Sequence, residues 1–206
     1  MKILTRLIII SLVLGLASWV LIQVPSVQDR ILVAAFSAIG SASNNLPKED
    51  ALSAAVCGSR SPLPSPGRAE TCLLIAAGDD LFVVDIGDGS NDNLRSWNIN
   101  FRNIKAVLIT HLHSDHIADL PGLHQNAWVV GQRSSKLKVF GPEGIEQLTQ
   151  GVEMAYAHDY VFRNEHHGDE VAPLEYAGFD TNVIDLNNPV ILSLIHISEP
   201  TRLDHI

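Results

Sequence analysis

An α/β fold behind an N-terminal transmembrane helix is predicted by three features of this 206-residue sequence. Short apolar runs of strand length, bounded by Gly, Pro and Asp, alternate with segments whose apolar residues recur at helical spacing. One of these runs, Val107-Leu-Ile-Thr110, ends abruptly in His111-Leu-His-Ser-Asp-His116, and the C-terminal edge of a buried strand is where open α/β sheets place their chemistry. Ahead of both, Met1 to Arg6 carries two positive charges and no charged residue occurs from Leu7 to Gln28.

That uncharged span covers about 30 Å as a helix, the thickness of a bilayer's hydrocarbon core. Residues 1–28 therefore read as a membrane anchor or a long signal segment. A signal h-region is shorter, about 7 to 15 residues, and no small-x-small site follows directly, although Ala35-Phe-Ser-Ala38 could serve; the uncleaved anchor is the preferred reading. Lys2 and Arg6 precede the span and Asp29 follows it, which puts the remainder outside the cytoplasm, periplasmic or extracellular. Residues 29–50 form a juxtamembrane linker. The stretch from Pro25 to Leu46, which overlaps the end of the anchor segment, begins as a short amphipathic helix beside the membrane, and Asn44-Asn-Leu-Pro-Lys-Glu-Asp50 closes the linker.

The folded part is expected at residues 51–192. Ala51–Cys57 is strand-like, and Gly58-Ser-Arg-Ser-Pro-Leu-Pro-Ser-Pro-Gly67 is a loop. Thr71–Ala77 and Leu81–Ile86 make a hairpin about Gly78-Asp-Asp80. Cys57 and Cys72 end strands that could pair, so a disulfide and two buried thiols both stay open. Asp85 stands at a strand end beside flexible glycines, and Asp88 reads as a turn cap. Asn91–Asn100 looks helical, and Phe101–Ile104 leads into the strand Val107–Thr110. Leu120, Leu123, Ala127 and Val130 predict one helix over Ile117–Val130, on which His124 is packed or solvated and not a ligand. Leu137–Phe140 is a strand and Ile145–Tyr160 a helix. The charged stretch Phe162–Glu175 reads as a loop whose adjacent His166 and His167 diverge too far to share one ion; a substrate-pocket role is the alternative. Gly178–Leu192 is an irregular strand region.

His111 and His113 are two residues apart and in extended backbone project to the same side, so they can share one metal. Asp115 and His116 follow after the chain has begun to turn and can hold a second ion. Neutral imidazole and carboxylate suit zinc, with manganese or iron also matching the donors.

The run Thr110-His-Leu-His-Ser-Asp-His-Ile-Ala-Asp-Leu-Pro-Gly122 resembles the signature of the metallo-beta-lactamase superfamily, and its form is similar to the branch of ribonuclease Z and arylsulfatase-like enzymes. The resemblance covers roughly Ala55 to Gly144. It implies an αββα sandwich, of which this chain would supply the N-terminal portion only. It also implies two zinc ions held by His111, His113, Asp115 and His116, with Asp85 orienting the ligands from behind and Asp115 taking a proton from the attacking water. In that branch the Gly/Pro-rich loop borders the metal cleft, which makes Arg68 a candidate substrate contact beside His166 and His167.

The implied reaction is hydrolysis of a phosphodiester or sulfate ester by a metal-bound hydroxide. Further ligands usual in such enzymes, a later histidine and an aspartate in a Gly-Asp-Thr setting, do not occur, so the chain is expected to be truncated; residues 193–206, Ser193-Leu-Ile-His-Ile-Ser-Glu-Pro onward, read as an artefactual tail. The alternative reading is a catalytically inactive metal-binding fragment. With 23 acidic against 14 basic residues the net charge is −9, and no Lys/Arg-rich run offers a basic face. That argues against nucleic acid without closing the question, the membrane topology favours a small ester substrate, and the other expected partners are the membrane, through the N-terminal helix, and a second copy in a homodimer.

Overall fold

The computed structural model describes residues 2–40 and 52–185. Helix α1 spans Lys2–Ile22 and is long and apolar enough to cross a membrane, with Leu7 to Ile22 exposing its large apolar side chains. Helix α2, Pro25–Gly40, follows after a two-residue turn. Residues 29–40 of the foreseen linker are the greater part of α2, while the rest of the linker and the C-terminal tail foreseen at 193–206 lie outside the described residues.

A single six-stranded sheet has the order β1(Leu52–Gly58), β2(Cys72–Ala77), β3(Asp80–Val84), β4(Ile104–Leu108), β5(Leu137–Gly141), β6(Phe179–Val183). β1, β2 and β3 are antiparallel, and β3 to β6 are parallel. Alternation along each strand sends Leu74, Leu81, Val83, Val107 and Val139 to one face. There they meet Leu94 of α3 (Ser90–Ser96), Leu120 and Leu123 of α5 (Leu120–Gln125) and Ile145 of α6 (Ile145–His167), all at most 1% exposed. Burial of this order is worth about 1.5 to 3 kcal/mol per large aliphatic side chain. The opposite face is also apolar, with Ala77, Phe82 and Ala106 packed beside Ile75, Leu108 and Phe140, but Leu52 and Val56 there are 73% and 62% exposed. One helical layer on one sheet is half of the expected αββα sandwich.

Cys57 and Cys72 form a disulfide, which resolves the open choice between bridge and thiols. The β1–β2 register sets them side by side, Gly58 pairing with Cys72.

Three expectations are corrected. The single helix over Ile117–Val130 is instead a one-turn helix α4 (Ser114–Ile117), then α5, then a π-helical turn Asn126–Val130. Pro121 has no N–H to continue the helix, and Asp119 turns its carboxylate to the backbone N–H of Asn91 (3.0 Å). The strand at the cluster starts earlier, at Ile104, and ends at Leu108, because Thr110 N–H bonds the Asp85 side chain in place of a strand neighbour. The loop foreseen from Phe162 is helical to His167: no Gly or Pro interrupts it, Arg163 pairs with Asp159 one turn back at 2.7 Å, and Gly168 at φ 75 ends it.

Trp128 (1% exposed), Tyr160, Val171 and Ala172 make a second cluster, in which Trp128 Nε1–H donates to Pro173 O. His124 is packed at its edge, 1% exposed, its Nε2 accepting from Gly178 N–H at 2.8 Å. Burial lowers its pKa from 6.5 to about 4. The folded chain therefore refuses a proton that the unfolded chain takes between those values. Its stabilisation is complete above pH 6.5 and disappears as pH falls toward 4, by about 3 kcal/mol. Urea unfolding between pH 7.5 and 5 is expected to show about 2 kcal/mol of this loss, and His124→Gln, which keeps an acceptor for Gly178, to flatten it; an unchanged slope in the variant would count against His124 as its source.

Candidate metal centre

Parallel pairing of Val84 with Leu108 brings the ends of β3 and β4 together, and everything at the site follows from that juxtaposition. Asp85 N–H donates to Leu108 O, Ile86 N–H to His116 O, and Asp119 N–H to Ile86 O, so the chain after β3 is stitched to the chain after β4 (2.9, 2.8 and 3.0 Å). The two segments lie so close that a Cβ on Gly87 would collide with the carbonyl of Asp115. His113 is extended at φ −73, ψ 150, and the first turn of α4 then carries Asp115 and His116.

The four cluster residues are together. The rings of His111 and His113 are 4.7 Å apart between centroids, those of His111 and His116 3.9 Å, and His116 Nε2 is 3.6 Å from Asp115 Oδ2. His113 is exposed and Asp115 buried, so one side opens to solvent while the other is held.

Asp85 holds it. The residue is 3% exposed and sits at φ 56, a left-handed conformation that Asp tolerates better than most side chains and that aims the carboxylate across to β4. Oδ1 accepts from Thr110 N–H (2.8 Å), while Oδ2 accepts from Thr110 Oγ1–H (2.8 Å) and from His116 Nδ1–H (2.8 Å). Thr110 has one hydroxyl proton and gives it to the carboxylate, so at 3.1 Å its oxygen accepts from His111 Nδ1–H. One carboxylate thereby assigns the tautomer of two histidines, leaving Nε2 of each with a free lone pair.

The donor chemistry fits a divalent cation. An imidazole Nε2 lone pair and a carboxylate oxygen facing each other at 3.6 Å repel unless a proton or a metal cation stands between them, and both are donors that a divalent cation accepts. Among the described residues no three His, Cys, Asp or Glu side chains close on one point, so the donors stand as neighbouring pairs and not as a finished cage.

The other candidates stand on other segments than the cluster, although Glu70, two residues after Arg68, packs beside Gly87 and the Asp115 carbonyl. Arg68 is exposed on the loop, its backbone N–H bonded to Ser65 O. His166 and His167 end α6 with rings meeting edge to face at 4.7 Å, closer than consecutive residues were expected to come. His167 lines a groove with Asn91, Arg95, Gly122, Gln125 and Arg163, a lining that includes none of the cluster. Burial and the charges of His166 and Arg163 lower its pKa. Asp88 is paired with Arg60 at 3.1 Å, and Arg60 with Glu70 at 3.3 Å. Sequence reasoning missed three supports: Thr110, which stands beside His111; Glu70, whose side chain accepts from Asp88 N–H; and Asp119, which anchors α3 and whose pKa is raised by burial.

Comparison with known proteins agrees with this picture. Residues 65–194 match the family model described as the metallo-beta-lactamase superfamily. Ribonuclease Z of Mycobacterium bovis (strain BCG / Pasteur 1173P2) is 36% identical over 118 residues, 56% of this chain and 42% of that protein, and ribonuclease Z of Mycobacterium marinum is 36% identical over the same length and shares. The chain spans about two fifths of the length of these curated relatives. Among solved structures, the metallo-beta-lactamase fold protein YhfI from Bacillus subtilis aligns with a TM-score of 0.50 at 20% identity, over 69% of this chain and 50% of that one. The long form ribonuclease Z from yeast aligns at 0.51 and 15%, over 68% and 19%. With a sheet edge that gathers His111, His113, Asp115 and His116 and a family model matched over most of its length, the chain belongs to the metallo-beta-lactamase superfamily.

Proposed function

We propose that the protein acts as a metal-dependent phosphodiester hydrolase held at a membrane with its domain outside the cytoplasm. The observation that carries the chemistry is the Asp85 network, which orients the rings of His111 and His116 and sets Nε2 of His116 beside the buried Asp115 carboxylate. His111 and His113 would hold one ion and Asp115 and His116 another, with zinc the best match and manganese or iron compatible with the same donors. When bound, such ions supply a nucleophile at neutral pH and offset developing negative charge. The chain's own contribution is positional: Asp85 and Thr110 hold two rings against rotation, and Asp115 offers a buried oxygen able to take a proton from a water at the cluster.

The relatives are named ribonuclease Z, which favours a phosphodiester over a sulfate ester as the bond cleaved. The location is supported by α1, by Lys2 and Arg6 ahead of its apolar span, and by the Cys57–Cys72 disulfide, a bond that persists in oxidising compartments. A domain so placed would act on a small phosphodiester in preference to an intracellular RNA.

With added zinc or manganese, slow hydrolysis of bis(p-nitrophenyl) phosphate is expected, faster than that of p-nitrophenyl sulfate and abolished by His113→Ala. Phosphodiester turnover indifferent to His113→Ala, or a preference for the sulfate, would overturn the proposal. Metal binding without any turnover would favour the inactive-fragment reading.

A further inference from the structure

The way α2 meets the domain sets which end of it faces the bilayer. The turn between α1 and α2 has no slack, because Gln23 N–H bonds Val20 O, Val24 N–H bonds Leu21 O and Gln28 N–H bonds Val24 O, each at 3.1 Å. Val33 then packs on the cluster of Trp128, Val129 and Tyr160, and Gln132 Nε2 reaches Val33 O at 3.5 Å. Val33 is about 12 Å along α2 from Pro25 at helical rise, so the docking point stays within that distance of the end of the apolar span.

The docking point lies at the end of the sheet opposite the histidines. Gly131 O and Gln132 O accept from the Arg102 guanidinium at 2.8 and 3.2 Å, and Arg133 Nη1 bonds Ile104 O, the first residue of β4. His111 to His116 follow the other end of that strand, roughly 20 Å further along extended chain. At this end Arg30 and Lys136 are exposed, with Asp29 and the hairpin residues Asp79 and Asp80 nearby and Arg102 and Arg133 held by backbone carbonyls, so the docking of Val33 and not charge sets the geometry.

We infer that the docked α2 and the loop Gly131–Lys136 form the bilayer-facing surface of the domain, and that the histidine cluster is held on the far side, open to water. This rests on the reading of α1 as a membrane anchor. Its consequence for substrate class is direct: the cluster meets phosphodiesters dissolved in the aqueous phase, while lipid headgroups of the same bilayer stay out of reach.

The test uses the full chain in vesicles of phosphatidylcholine and phosphatidylglycerol containing a headgroup-nitroxide lipid. Single cysteines introduced by Ser134→Cys, at the docking end, or Glu143→Cys, near the cluster, carry a bimane, with Cys57 and Cys72 left in their disulfide. Quenching several-fold stronger at position 134 than at 143 is expected, and Val33→Asp should narrow that difference by undocking α2. Equal quenching at the two positions, or stronger quenching at 143, would overturn the orientation. Chain that fails to float with the vesicles would overturn the anchor itself, and the orientation with it.

Discussion

Asp85→Asn is expected to weaken zinc binding by the cluster about 10- to 100-fold, the usual consequence of losing a carboxylate that orients metal ligands. Asn tolerates the left-handed backbone at this position, so the substitution tests the charge and not the turn. Its single carbonyl oxygen can still accept from Thr110 N–H, but its NH2 group then faces Thr110 Oγ1 and His116 Nδ1, where the wild type has an acceptor. His116 must turn its Nδ1 into an acceptor and move its proton to Nε2, the atom needed for a metal. Competition against a chromophoric chelator measures the loss, and far-ultraviolet circular dichroism shows whether the fold is kept. Unchanged affinity with an unchanged fold would show that Asp85 does not set the tautomers.

Reduction of the Cys57–Cys72 disulfide, or the paired change Cys57→Ser with Cys72→Ser, is expected to cost about 3 kcal/mol, the loop-closure value for a sequence separation of 15. For a domain of this size that corresponds to a fall in Tm of about 6 to 12 °C. Damage should extend toward the metal centre, because the bridge fixes β1 against β2, Gly58 packs directly on the Glu70 carbonyl, and the Glu70 side chain in turn accepts from Asp88 N–H. Differential scanning fluorimetry with and without reductant reads the effect. A shift under about 2 °C would mean that the strand pairing alone carries this edge of the sheet.

Much of the architecture could be read locally. Strand-length apolar runs, the hairpin at Gly78 and the helical spacing after the cluster are patterns of period and turn chemistry, and they hold whatever the chain later packs against. The clustering of the candidate ligands was legible for the same reason: His111, His113, Asp115 and His116 are neighbours in sequence, so strand geometry and one helical turn suffice to gather them. Asp85 was recognisable as a support only through the family pattern, since its partner Thr110 is 25 residues away. The extent of α6 was not legible, because the charged stretch through His167 looks solvated in sequence, and it is the ion pair of Asp159 with Arg163 and the hydrogen bond of Gln125 to Asp159 that carry the helix across α5.

By itself the sequence determined an α/β domain, a histidine and aspartate cluster at a strand end and an apolar N-terminal helix, all of which depend on residues close along the chain. Only the tertiary structure decided that His111 and His116 are both oriented through Asp85, that His124 is buried with its pKa lowered to about 4, that the two cysteines are joined, and that α2 docks at the end of the sheet away from the cluster. Each of these depends on sheet register and on burial, which bring together groups separated by tens of residues. No local pattern encodes which of the permitted registers the strands adopt.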